Sequence, residues 1–342
     1  MKTIKYTLLL SIFSLLSCFN QAFAYKVGLL FPTQEDARWY AEGKMVEQSL
    51  LKAGFQAELF YAGDGDSKLQ DRQTKRMSDE GYDLMVVAAI DSHVLSKSLD
   101  AAKAKNIPVI AYDRLILDTD ATDYYISIDN EMIGEMQGEF IVRQLTPGSG
   151  SVKYIELFCG DLADENAKVF FQGAMRKLKP YIDKGYIVVK SKQYDMKDIA
   201  IDNWDGELAK KRMESLIQTV GYGPNSERID AILSPNDSIA DGIIFTLKKY
   251  GYTKENMPII TGCDASPIAT DHIKKGEMAM TIYKSDELAL AVVDAVTAMS
   301  KGQEPDYNDD FSYNNGVKIM KSLLCDPELI DYYIENGDLS SK

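Results

Sequence analysis

Short runs of β-branched and apolar residues recur along this chain, each long enough for one buried strand and too short for a helix. Segments with helical spacing separate them. Strand patterns lie at 27–31, 57–61, 84–89, 107–112 and 124–128, with helical patterns at 37–54, 68–80 and 96–105 between the first four. After Asp129-Asn130 the alternation starts again, with strands at 152–158, 187–191, 231–234, 258–262 and 279–283. Helices are read at 131–145, 167–177, 206–220, 239–250, 267–275 and 287–300, with a last segment around 326–335. Strands that alternate with helices form parallel sheets covered on both faces. The chain is therefore expected to be α/β, with two doubly wound, Rossmann-like lobes in tandem. No Gly/Ser or Pro linker marks the boundary near Asn130, so the lobes should share an interface and hinge rather than swing freely.

The 342 residues, 45% of them hydrophobic, suffice for two cores. Lys2 and Lys5, the apolar run 8–16 and Ala22-Phe23-Ala24 follow the order of a secretory signal peptide, with cleavage after Ala24. Leu15-Leu16-Ser17-Cys18 offers a rival cleavage that would leave a lipid-anchored Cys18. The expected location is the periplasm. With 38 basic against 52 acidic residues and no basic cluster, nucleic acid is excluded as a partner class. Cys159, Cys263 and Cys325 remain after cleavage, an odd number and thus no disulfide framework. Only His93 and His272 are present, so a histidine metal site or a Ser-His-Asp triad has little material. No metal, cofactor or catalytic residue is expected.

Chemistry gathers where strands end, which is where open α/β sheets place ligands. The strand at 107–112 stops on Asp113-Arg114, an acceptor beside a rigid fork of donors. Taken alone, that dipeptide reads as an ion pair capping a strand. Other strands end the same way: in Ala37-Arg38-Trp39, Asp164-Glu165-Asn166, Asn203-Trp204-Asp205, Asn236-Asp237, Cys263-Asp264 and Lys284. Each has a plain alternative. A Trp by itself is usually core, Asn166 or Asn236 could be a helix cap, and Lys284 could be a solvated lysine. Jointly, planar polar groups with one Trp per unit suit a sugar. Its hydroxyls each need a donor and an acceptor, and its C–H faces stack on aromatic rings.

These stretches, in their order and spacing, resemble the periplasmic sugar-binding proteins of the xylose-binding and multiple-sugar-binding receptor group. Further carriers are Ala111-Tyr112-Asp113-Arg114-Leu115-Ile116, Ser127-Ile128-Asp129-Asn130, Glu156-Leu157-Phe158, Gly173-Ala174-Met175, Lys179-Pro180-Tyr181-Ile182, Leu233-Ser234-Pro235 and Asn314-Asn315-Gly316-Val317. Glu165 and Cys263 depart from the group's pattern. The resemblance implies a type I periplasmic binding protein, the substrate-binding component of an ABC-type importer. In that reading Arg38, Arg114, Asn166, Asn236, Asp264 and Lys284 bond the sugar, Trp39 and Trp204 stack on it, and Asp91 and Asp113 join them. The ligand would be D-xylose or an aldose of the D-glucose/D-galactose type, and the partner an inner-membrane permease.

The resemblance also implies a monomer and three chain crossings between lobes. The expected division is 25–129 with 265–283 and 320–342 in the N-terminal lobe, and 130–264 with 284–319 in the C-terminal lobe. A chemosensory receptor of the same fold, docking on a membrane sensor or sensor kinase, is the alternative. A glycosidase would need a raised acid opposite a second carboxylate. No pair in the sequence stands out for that, and the chain is expected not to be an enzyme.

Overall fold

The computed structural model describes residues 25–63, 65–284, 287–308, 316–320 and 322–335. The signal peptide, the Cys18 alternative and Asn314-Asn315 lie outside the described residues. Six parallel strands form the first sheet, in the order β11-β5-β4-β3-β1-β2. They are β1 (Lys26–Phe31), β2 (Gln56–Tyr61), β3 (Leu84–Val87), β4 (Val109–Tyr112), β5 (Tyr124–Ile128) and β11 (Gly316–Met320). A second parallel sheet runs β7-β6-β8-β9, from β6 (Lys153–Leu157), β7 (Ile187–Val189), β8 (Ala231–Leu233) and β9 (Ile259–Ile260). Antiparallel β10 (Thr281–Lys284) and β12 (Ser322–Cys325) join the halves.

The period of two along each strand divides the core into layers. Leu29, Val86 and Ile110 face α1 (Ala37–Lys52), while Leu30, Met85 and Val109 face α2 (Ser67–Glu80) and α3 (Ser96–Ala104). In the second half, Ile155, Leu157 and Leu233 pack on α4 (Asn130–Leu145) and α5 (Glu165–Asp183). Ile232 and Ile260 pack on α7 (Gly206–Val220), α8 (Asp237–Lys249) and α9 (Pro267–Lys275). Between these lie a short α6 (Met196–Ile199) and a 3-10 turn, Asp202–Trp204.

The returning segments divide differently from the expectation. Of residues 265–283, expected in the first lobe, Ala269 and Ile273 of α9 sit in the second half's core, while Met280 and Ile282 join the first. Residues 284–319 are expected in the second lobe. Instead α10 (Glu287–Ser300) packs Leu288, Val292 and Val296 into the first half's core, and β11 pairs with β5. Cys325, and Ile330 of α11 (Ile330–Glu335), then return to the second core. The reason is that an apolar stripe shows that a helix is buried and not which of two similar sheets it covers. No helix among the described residues is long and apolar enough to cross a membrane.

Candidate functional site

The carboxyl ends of both sheets meet around one cavity, about 710 Å³ of space when its open mouth is included. At the end of β1, Asp36 caps α1 by accepting from the Arg38 amide at 2.8 Å. That cap places Arg38 and Trp39 in the helix's first turn, facing the cleft. At the end of β4 the chain turns through Asp113 with φ +59°. The Asp113 carbonyl collects donors from Ser127 Oγ at 2.9 Å, Tyr125 Oη at 3.1 Å and Asn166 Nδ2 at 3.1 Å. On the opposite wall, Asn236 caps α8 through Oδ1, which accepts from the Ile239 amide at 3.0 Å.

Four charges close into a ring. Arg38 Nη2 donates to Asp113 Oδ1 at 2.5 Å, and Asp113 Oδ1 lies 3.6 Å from Lys284 Nζ. Lys284 Nζ reaches Asp264 Oδ1 at 3.0 Å, and Asp264 Oδ1 returns to Arg38 Nη1 at 3.6 Å. Glu42 steadies the ring from outside by accepting from Arg38 Nε at 2.6 Å and Tyr112 Oη at 2.9 Å. Burial alone would raise the Asp113 carboxyl, but Arg38 and Lys284 outweigh it and hold it well below the usual carboxylate range. Burial and Arg38 would lower the Lys284 ammonium, yet Asp113 and Asp264 hold it above its ordinary value. Arg38, Asp113 and Lys284 are thus charged at neutral pH.

The adjacent Asp113 and Arg114 do not pair with each other. Arg114 Nε reaches across the cleft to Asp164 Oδ2 at 2.9 Å, and its Nη1 donates to Ala89 O at 3.1 Å. Burial pushes the Asp164 carboxyl up, against the pull of Arg114. Ser92 N to Ala163 O at 2.9 Å and Ser238 Oγ to Asp36 Oδ2 at 3.2 Å also span the cleft, which is shut.

Aromatic rings flank this charged centre. Trp39, 5% exposed, stands edge-on to Phe31 at 6.0 Å and lies under the Arg38 and Arg114 guanidiniums at 4.3 and 5.0 Å. Trp204 meets Phe170 edge-on at 6.1 Å. Its ring also packs on Gly160, where an added Cβ would come within 2.4 Å of ring carbons. Both tryptophans belong to core packing and to the cavity wall at once.

The cavity brings together Arg38, Trp39, Asp113, Arg114, Asn166, Trp204, Asn236, Asp264 and Lys284. Asp91 is not among its lining. Its carboxylate accepts from the His93 and Val94 amides at 2.7 and 3.2 Å, stabilising the turn after β3, and its neighbour Ile90 faces the cavity instead. The cap of α5 is Asp164 rather than Asn166, whose side-chain amide lines the cavity while donating to Asp113 O and accepting from Asn130 Nδ2 at 3.0 Å. Glu165 and Cys263 do not line the cavity: Glu165 pairs with Lys168 at 2.6 Å, and Cys263 is wholly buried behind Asp264.

Sequence reasoning missed Asp36, Asp161 and Phe170 as lining residues, and marked Asp164 and Asn203 only as members of polar strand-end loops without a ligand role. Phe170 was findable, because it follows Asn166 by four residues on one helical face.

A profile for the periplasmic binding protein domain matches residues 27–304, most of the chain. The chain belongs to the periplasmic binding protein family. This binding protein is 40% identical over 309 residues to the multiple sugar-binding periplasmic receptor ChvE of Rhizobium radiobacter, covering 89% of this chain and 86% of the relative. It is 33% identical to the D-xylose-binding periplasmic protein of Escherichia coli, covering 88% and 85%. Among solved structures, an ABC transporter solute binding protein from Clostridium phytofermentans with bound β-D-glucose superposes with a TM-score of 0.86 at 35% identity. That match covers 92% of this chain and 98% of the other. The fold is that of type I periplasmic binding proteins, and the chain is a binding protein rather than an enzyme.

Proposed function

We propose that this binding protein closes over a single monosaccharide, D-xylose or an aldose of the D-glucose/D-galactose type, and delivers it to an ABC-type importer. The observation that carries this reading is the buried ring of Arg38, Asp113, Lys284 and Asp264 beside the Arg114–Asp164 pair. Its cations are already matched by carboxylates, so an anionic ligand finds no surplus positive charge. A neutral polyol does better. Each hydroxyl can accept from a cation and donate to a carboxylate without disturbing the balance, through charge-assisted bonds. Asn166 and Asn236 add amides of both polarities, and Trp39, Phe170 and Trp204 supply apolar walls for the C–H faces. The names of the relatives, a multiple-sugar receptor and a D-xylose-binding protein, support the same class.

Titration calorimetry against D-xylose, D-glucose, D-galactose and their deoxy analogues tests the proposal. One sugar per chain should bind, the deoxy analogues should bind far more weakly, and NMR should return the sugar unchanged. No heat from any aldose, or turnover of one, overturns the reading. Sugar uptake by cells with and without the gene tests delivery. In the same reading the signal peptide is removed after Ala24, leaving a free periplasmic protein. A mass of the secreted form showing lipid on Cys18 would place it on a membrane instead.

A further inference from the structure

Asp237 sits behind the cavity wall in the first turn of α8, 3% exposed and outside the lining. It makes no salt bridge with any Lys or Arg among the described residues, although it is a buried acid beside another acid. Leaving a carboxylate in such a place is costly unless its bonds do something.

Every donor it receives comes from the strand ends that carry the site. Asp237 Oδ2 accepts from the Ser266 amide at 2.7 Å, and Oδ1 accepts from Thr281 Oγ1 at 2.7 Å. Thr281 Oγ1 in turn accepts from the Ala265 amide at 3.1 Å. The Asp237 amide donates to Cys263 O at 3.0 Å. These bonds grip residues 263–266 from both ends. Between the grips, Asp264 and Ala265 adopt φ of +107° and +47°, conformations that L-residues hold only when their surroundings impose them. Gly262 makes room for the carboxylate, since a Cβ there would come within 2.5 Å of Asp237 Oδ1.

We propose that Asp237, acting with Thr281, is the positioning residue that holds the strained 263–266 bend and aims the Asp264 carboxylate at the ligand. The inference rests on the sugar-receptor reading above and adds a determinant of affinity that does not touch the sugar.

A double-mutant cycle read by D-glucose and D-xylose calorimetry tests it. Asn at 237 keeps the size but accepts on one atom only, so Asp237→Asn should weaken binding on the order of tenfold. In an Asp264→Asn background the same change should cost almost nothing more, because the group it aims is already impaired. Against Arg114→Lys, on the other wall, the two losses should add. Thr281→Val should repeat the Asp237→Asn pattern and Thr281→Ser should restore affinity, so the cycle survives if Asp237→Asn fails to fold. Additive losses of Asp237→Asn and Asp264→Asn, or wild-type affinity in folded Asp237→Asn, overturn the positioning role while the receptor reading stands. If the wild type binds neither sugar, the receptor reading falls and takes this one with it.

Discussion

Arg38 shows how one residue's meaning depends on its neighbours. Its guanidinium faces Glu42, Asp113 and Asp264 at once, and its carbon lies 4.3 Å from the Trp39 ring centroid. Arg114 likewise holds Asp164, which is 2% exposed and would be stranded without it. Arg114→Ala and Asp264→Ala are each expected to cost about 2–4 kcal/mol of sugar affinity, since removing one partner leaves a buried charge unpaired. Calorimetry on the folded variants checks this. An affinity within twofold of wild type would remove that residue from the site.

Far from the cavity, His272 places Nδ1 at 2.7 Å from Glu277 and Nε2 at 2.9 Å from Asp241. Only the imidazolium donates from both nitrogens. Burial lowers its pKa, but bonds to Asp241 and Glu277 outweigh that, and it is raised above 6.5. A raised folded value stabilises the fold fully below the unfolded pKa and is lost as pH rises through the folded one. The melting temperature of His272→Gln should therefore fall furthest below wild type at acidic pH, with the gap closing in alkali. A gap that widens with pH would contradict the assignment. Lys248 also pairs with Glu277, so the carboxylate keeps a partner when His272 is neutral.

At the scale of elements, the strand-to-helix loops combine two tasks. Asp36, Asp164 and Asn236 cap α1, α5 and α8 and also line the cavity, so helix starts and cavity groups coincide. This is why strand ends are informative in the sequence itself, and why Asp164 serves as helix cap and cavity wall at once. The α4–α5 pair is built differently, by backbone contact. A Cβ on Gly134 would come within 1.9 Å of Phe170 O, and one on Gly173 within 2.3 Å of Glu131 O. Because α5 also carries Asn166 and Phe170, prying the helices apart should disturb both fold and site. Gly134→Ala is expected to lose about 1–3 kcal/mol of stability as an overpacking change, less any gain in helix propensity. Urea unfolding measures it, and an unchanged midpoint would show that the crossing relaxes freely.

For the molecule as a whole, the C-terminal stretch is structural cement between the halves. Val317 of β11 is wholly buried in the first half's second core layer, while Cys325 and Ile330 are buried in the other half. The matched domain ends at 304, before all three. A chain stopped at 304 should lose cooperative unfolding. It forfeits an edge strand, the partner of β10 and several buried side chains worth about 1.5–3 kcal/mol apiece, against a total stability of about 5–15 kcal/mol. Denaturation followed by circular dichroism decides this, and a sharp transition near the wild-type midpoint would refute it.

The sequence by itself determined what is local. Periodicity of two and 3.6 marked strands and helices, their alternation required parallel sheets, and polar residues at strand ends pointed to the cleft residues from Arg38 to Lys284. Tertiary structure alone decided what depends on distance between remote segments. It chose the sheet that α9, α10 and β11 join, because two similar sheets offer equivalent apolar faces. It gave Arg114 to Asp164 rather than to its neighbour Asp113, because the positive-φ turn at Asp113 sends that carboxylate towards Arg38 and Lys284 instead. It withdrew Asp91 into a turn and brought Asp237 behind Asp264, because hydrogen-bond partners are chosen in space, and adjacent side chains such as Ile90 and Asp91, or Asn236 and Asp237, face different ways.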